Sequence, residues 1–291
     1  MLAVEHLFLW FLFYSFLGWV YETILVSVQE RRFVNRGFLN GPLCPIYGVG
    51  AVLASLLLDG LSGRPVVLFL ASALGASVLE YATSWAMERL FHARWWDYTD
   101  FRFNLNGRVC LLGAVVFGLG GVAIVRVVQP QVEYWTGLMP LPVVHWLSIV
   151  CLLLLIIDLT VTVAGIAHFD DSLAAFTDIV QGYAAKAGDH WQWGRDALRG
   201  RIHDWAESSQ EMLSGLHDVA TLMLNEQQRR MIESFPHLKS VNYERVLETI
   251  RELLRRDCGI SQLRCVATAC GTGTSGMVES TAGADMVSEP L

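Results

Sequence analysis

Charge is scarce in this chain. Of its 291 residues only 17% are Asp, Glu, Lys or Arg, while 53% are hydrophobic, so charge falls below the share usual in soluble domains. The net charge of −7 and the lack of a sustained basic stripe give no reason to expect a nucleic-acid partner. Six cysteines, at 44, 110, 151, 258, 265 and 270, form no CxxC, and no His pair completes a zinc pattern. Neither a disulfide framework, a metal site nor a cofactor is expected. There is no GxxxxGK(S/T), so the chain carries no P-loop of its own. No GxSxG or HExxH points to an enzyme. No basic leader precedes the first apolar run; at about 22 residues that run is too long for a signal-peptide core and reads as a retained helix.

The charge that exists is uneven. Residues 1–167 hold long apolar runs and are expected to form a transmembrane domain. Residues 168–257, studded with Asp, Glu, Arg and His, read as a cytoplasmic amphipathic helical region. Residues 258–291 are rich in Gly, Ser, Thr and Ala and are expected to be disordered; Cys258, Cys265 and Cys270 are given no role. A bilayer span needs about 20 apolar residues. The runs predict five spans, near 6–28, 44–59, 65–87, 109–128 and 143–165, and hence an all-α polytopic membrane protein. The second is short, and Gly41-Pro42-Leu43-Cys44-Pro45 at its start admits a broken or partly re-entrant helix, which membranes tolerate when it is buried in protein. Arg31, Arg32 and Arg36 follow span 1, and Arg89, Arg94, Arg102 and Arg108 follow span 3. The positive-inside rule makes these loops cytoplasmic, with the N-terminus outside and the tail inside. Trp95, Trp96, Tyr98, Tyr134 and Trp135 are expected in interfacial aromatic belts, and His145 at the outer interface.

Leu39-Asn40-Gly41-Pro42-Leu43-Cys44 opens span 2, and Leu105-Asn106-Gly107-Arg108-Val109-Cys110 opens span 4. Both read Leu-Asn-Gly-x-x-Cys, and each follows a span bearing a carboxylate, Glu22 or Glu80. Two related hairpins with a fifth helix added would explain this; chance would too, since the pattern is short. Carboxylates inside a membrane are expensive and usually face the bundle interior. Helical spacing puts Ser15, Gly18 and Glu22 on one face, Ser77, Glu80 and Ser84 on another, and Cys151, Asp158 and Thr162 on a third. Glu22, Glu80 and Asp158 are therefore candidates for a polar or substrate path; the competing reading pairs each with a loop arginine. The loop candidates are Asn35, Arg36, Gly37, Asn40, Gly41, Pro42, Cys44, Pro45 and Tyr47 in the first block. In the second they are Trp96, Asp97, Tyr98, Asn104, Asn106, Gly107, Arg108 and Cys110. Both blocks read either as functional loops or as structural turns, and Cys44 and Cys110 as small packing residues. In the tail, Leu198, Ile202, Trp205, Met212, Leu216, Val219 and Met223 recur at helical spacing. Phe235-Pro236 breaks the chain, and 242–256 carries Tyr243, Val246, Leu247, Ile250, Leu253 and Leu254 on one face. A helical hairpin is expected there.

These residues also carry a resemblance. Phe16-Leu17-Gly18-Trp19 with Glu22, Asn35-Arg36-Gly37-Phe38-Leu39, Gly41-Pro42 and Cys44-Pro45-Ile46-Tyr47-Gly48 resemble the CmpB-like ABC-transporter permeases called type IV. Trp96-Asp97-Tyr98, Phe103-Asn104, Asn106-Gly107-Arg108 and Cys110-Leu111 match a second block. Arg229-Arg230-Met231, Phe235-Pro236 and Lys239-Ser240 resemble a tail block, so that the likeness covers about 1–255. The resemblance implies a multi-pass bacterial inner-membrane permease. Without a P-loop it needs a separate ATPase, received by loops 1 and 3 and the tail, and five spans imply a homodimer in the lipid bilayer. The alternatives are a membrane-embedded enzyme or lipid-binding protein using the two polar loops, and a scaffold or sensor acting through the tail.

Overall fold

The structure, a computed structural model, describes residues 4–192, 218–251 and 254. Leu198, Ile202, Trp205, Met212, Leu216, Leu253 and the 258–291 tail lie outside them. The chain folds as an all-α multi-pass membrane protein. Among the described residues the long helices and those that build the site are α1 (Val4–Glu30), α2 (Pro45–Leu58), α3 (Pro65–Phe91), α4 (Leu111–Ala123), α5 (Gln129–Gly137), α6 (Leu141–Ile166), α7 (Phe169–Gln192), α8 (Glu226–Ser234) and α9 (244–251), and 218–223 are helical as well. Among the described residues, four stretches are long and apolar enough to cross a bilayer: Val4–Glu30, Pro65–Phe91, Leu111–Gly137 and Leu141–Ile179.

The expected second span does not reach that length. Pro45 starts α2 and the Asp59–Leu61 turn ends it, so α2 rises only about 21 Å of a core about 30 Å thick. Loop 1 (31–44) makes up the difference. It runs back along α1 until the Cys44 N–H reaches the Ser15 carbonyl at 2.9 Å, near the middle of α1. The fourth span is longer than expected because Pro130 does not break it. Proline has no N–H, so a carbonyl one turn back would lose its donor. Ile124–Val128 instead winds as a π segment, with Gln129 N–H bonded to Ile124 O, and the helix continues through α5.

Small residues set the helix spacing. A side chain at Gly18 or Gly48 on the α1–α2 seam would overlap Tyr47, or Ser15 and Phe11, and one at Gly121 would overlap Ser72 of α3, as expected where membrane helices approach through small residues. Away from the loops, Trp10 Nε1 donates to Thr136 Oγ1 at 3.0 Å, Tyr14 OH to Gln129 Oε1 at 2.8 Å, and His145 pairs with Glu5 at 2.7 Å.

The tail is not a free-standing hairpin. Ile166, Phe169, Leu173, Phe176, Ala220, Leu224, Met231, Ile232, Phe235, Leu238, Leu247 and Ile250 share one core with Ala93 and Trp95 of loop 3 (92–110). β4 (Lys239–Ser240) pairs antiparallel with β1 (Ala93–Arg94). Trp95 is therefore a core residue, 3% exposed, rather than part of an interfacial belt. Tyr98 also turns inward, whereas Tyr134 and Trp135 are exposed.

Candidate functional site

Three carboxylates organise the end of the bundle where loops 1 and 3 meet the tail. Glu22, one turn beyond Gly18 on α1, accepts a short hydrogen bond from the Tyr47 hydroxyl. Its other oxygen meets Arg36 Nε at 3.4 Å. Gly18 makes this possible, because the Tyr47 ring occupies the space a Cβ would need. Arg36 does more than pair: its Nη1 donates to Ser234 O at 2.9 Å, and its guanidinium lies 4.3 Å over the Phe235 ring. Asn35 Oδ1 accepts from Trp19 Nε1 at 2.7 Å and from Gly37 N–H at 3.2 Å, which fixes the loop leading to Arg36.

Asp158, on α6, accepts the backbone N–H groups of Asn40 and Gly41 at 2.9 and 2.8 Å, while Asn40 Nδ2 donates to Thr162 Oγ1 at 3.0 Å. Non-helical backbone at membrane depth must be satisfied by protein, and Asp158 does that for loop 1. Pro42 and Pro45 remove two further donors from the same stretch.

Glu80 differs from both. It is 6% exposed, accepts from the Tyr98 hydroxyl at 3.0 Å, and has no salt bridge among the described residues. The competing reading pairs each carboxylate with a loop arginine, but Arg108 of loop 3 reaches Glu88 at 2.9 Å and Ser84 at 3.2 Å instead. Loop 3 is stiff. Asn106 and Gly107 take left-handed φ of 55° and 67°, the conformation Asn and Gly tolerate best, and turn β2 (Asn104–Leu105) onto β3 (Val109–Cys110). Asn104 Oδ1 accepts from Gly107 N–H at 2.9 Å, Tyr98 N–H donates to Gly107 O at 2.8 Å, and Trp96 Nε1 donates to Arg108 O at 3.1 Å. Burial, and then the Glu80 charge, push the Tyr98 phenol above its ordinary range, so it remains a hydrogen-bond donor near neutral pH.

Cys44 and Cys110 are buried and free. Each stands at the start of its own helix, and Cys110 Sγ accepts Gly113 N–H at 3.3 Å. Among the described residues no group of three or more His, Cys, Asp or Glu is placed to hold a metal.

Tail residues complete this site. Arg230 Nη1 and Nη2 donate to Gly37 O at 3.1 Å and Phe38 O at 2.9 Å. Burial lowers the Arg230 pKa, while the Asp158 charge works the other way. Lys239 meets Asp97 at 2.6 Å. Burial opposes the Asp97 charge, but hydrogen bonds from Lys239 and Thr99 prevail and hold that carboxyl below its ordinary range. Lys239 is raised in turn, first by its hydrogen bond to Asp97. Of these partners, Glu88 and Ser234 were not picked out by sequence reasoning. Arg230 and Lys239 were visible only as the Arg229-Arg230 pair and the Lys239-Ser240 step after Phe235-Pro236.

No curated protein and no solved structure matches the chain. One family model does, over residues 9–163. That segment holds both loop blocks and all three carboxylates and stops short of the tail block. Because it spans more than half of the sequence, the chain belongs to the family described as "Putative ABC-transporter type IV".

Proposed function

We propose that this protein is the membrane-spanning subunit of an ABC-type transporter, driven by a separate ATPase that engages the face built by loops 1 and 3 and the tail. Family membership supports the transporter reading, and the lack of a P-loop in the sequence assigns ATP hydrolysis to another chain. In this reading the loop end faces the cytoplasm of a bacterial cell, the N-terminus is outside, and two copies assemble to enclose a path near Glu22, Glu80 and Asp158.

The observation that carries the proposal is the position of Arg36. One side chain touches Glu22 inside the bundle and both Ser234 O and the Phe235 ring in the tail. A partner that shifts α8 on nucleotide binding must move these contacts, and Glu22 then loses or regains its counter-charge. A coupling element of this kind needs two arrangements that the partner can bias. The two Asn-Gly-x-x-Cys blocks favour a pseudo-symmetric pair of hairpins: α2 and α4 both start from a cysteine, beside a helix whose carboxylate accepts a tyrosine hydroxyl. The test is reconstitution with the co-purified ATPase. Arg36→Gln is expected to leave the complex assembled while ATP hydrolysis no longer responds to the membrane subunit. Hydrolysis unchanged by Arg36→Gln, or a chain that never associates with an ATPase, overturns the proposal.

A further inference from the structure

Loop 3 carries an apolar groove that plays no part in the site above. It has a volume of about 390 Å³ and is lined by Phe101, Arg102, Phe103, Leu111, Leu112 and Val115. Its floor is the first turns of α4, where the apolar stretch Leu111–Gly137 begins. Its wall is the segment before the β2–β3 hairpin, held by Asn104 Nδ2 to Phe101 O at 2.7 Å and by Leu111 N–H to Phe103 O at 2.9 Å. The groove therefore lies across the boundary between an apolar helix and a polar loop, with a braced backbone.

Its chemistry is sharply divided. Phe103, Leu111 and Leu112 are 65%, 56% and 59% exposed, apolar surface that the protein leaves uncovered where the membrane-crossing stretch begins. Arg102 is the one charged residue in the lining. Its guanidinium rests 5.7 Å from the Phe103 ring, and it has no carboxylate partner among the described residues. Apolar walls below and a free guanidinium at the rim suit a molecule with an acyl chain and an anionic head. We infer that this groove binds one anionic phospholipid, with its phosphate on Arg102 and a chain against Leu111, Leu112 and Val115. Charge complementarity favours this occupant over a zwitterionic lipid, whose own cation competes for the phosphate, and a planar guanidinium matches phosphate geometry.

Native mass spectrometry of the full chain in mild detergent tests this. The protein is titrated with dioleoyl-phosphatidylglycerol or dioleoyl-phosphatidylcholine, and a diazirine-tailed phosphatidylglycerol maps the contact. The first phosphatidylglycerol is expected to bind about fivefold more tightly than phosphatidylcholine, the factor one basic residue supplies at an anionic surface. Arg102→Gln is expected to erase the preference, Arg102→Lys to retain most of it, and Val115→Trp, which fills the floor, to weaken both lipids. Arg89→Gln, elsewhere in the loop-end arginine set, is expected to change nothing. Cross-links should fall within 101–115. Equal binding of the two lipids, an Arg89→Gln effect as large as that of Arg102→Gln, or protein dimers abolished by Val115→Trp with no lipid adduct would overturn the inference.

Discussion

Replacing Arg36 with Gln tests how the tail is held. The guanidinium donates to Ser234 O at 2.9 Å, a hydrogen bond with a charged donor worth about 1.5–3 kcal/mol. It stacks over Phe235 at 4.3 Å, worth about 0.5–2 kcal/mol. Its 3.4 Å contact with Glu22 is long and adds less. Gln can recover part of the hydrogen bond but neither the charge nor the stacking. The net loss of tail docking is therefore about 2–3 kcal/mol, against Arg230 and the apolar core, which remain. Amide exchange reads that loss directly, since protection scales with the free energy of local opening. In lipid nanodiscs, α8 and β4 should lose about 30- to 160-fold in protection, while α3 and α6 stay unchanged. Glu22→Gln should loosen the same segment much less, because it spares Ser234 and Phe235. Unchanged exchange over 226–240 in Arg36→Gln would refute the clasp.

Other consequences follow from the same contacts. Gly18→Leu must displace Tyr47 and should cost about 1–3 kcal/mol by overpacking, seen as a lowered melting temperature and a loosened α1–α2 seam in cysteine cross-linking. Asp158→Asn keeps one acceptor oxygen for two backbone donors, so one N–H of loop 1 loses its carboxylate partner at about 1 kcal/mol; exchange should rise at 40–41 and not in α8. Asp97 sits below its ordinary 3.8 and Lys239 above its ordinary 10.5. The Asp97 contribution is present above 3.8 and lost as pH falls through the depressed value; that of Lys239 is present below 10.5 and lost as pH rises through the raised one. Exchange at β4 should thus be insensitive to this pair between about pH 5 and 9 and rise in acid, and Asp97→Asn should remove the acid dependence.

Much of the membrane domain was legible because lipid imposes one rule: apolar runs of sufficient length become helices. Runs 1, 3, 4 and 5 obeyed it. Run 2 became a helix too short to cross alone, and loop 1 fills the remaining depth, its donors finding Asp158 on a helix more than 100 residues away; a local pattern does not carry that pairing. The faces of Glu22 and Glu80 followed from helical spacing, but their partners did not. Glu22 pairs with Arg36, yet α3 brings Glu88 within reach of Arg108 and leaves Glu80 with Tyr98. Trp95 reads as an interfacial residue only while nothing covers it, and the covering residues, from Phe169 to Ile250, are remote in sequence. The tail's amphipathic stripes were visible; loop 3 as part of what they pack against was not.

The most direct test of the transporter reading places a photo-reactive residue at Leu222, 85% exposed on the tail, and cross-links it in native membranes. The account predicts a nucleotide-binding protein cross-linked there, whose ATP hydrolysis in proteoliposomes depends on this chain and responds to Arg36→Gln. Cross-links confined to lipid or to a second copy, with no associated ATPase activity, would contradict it.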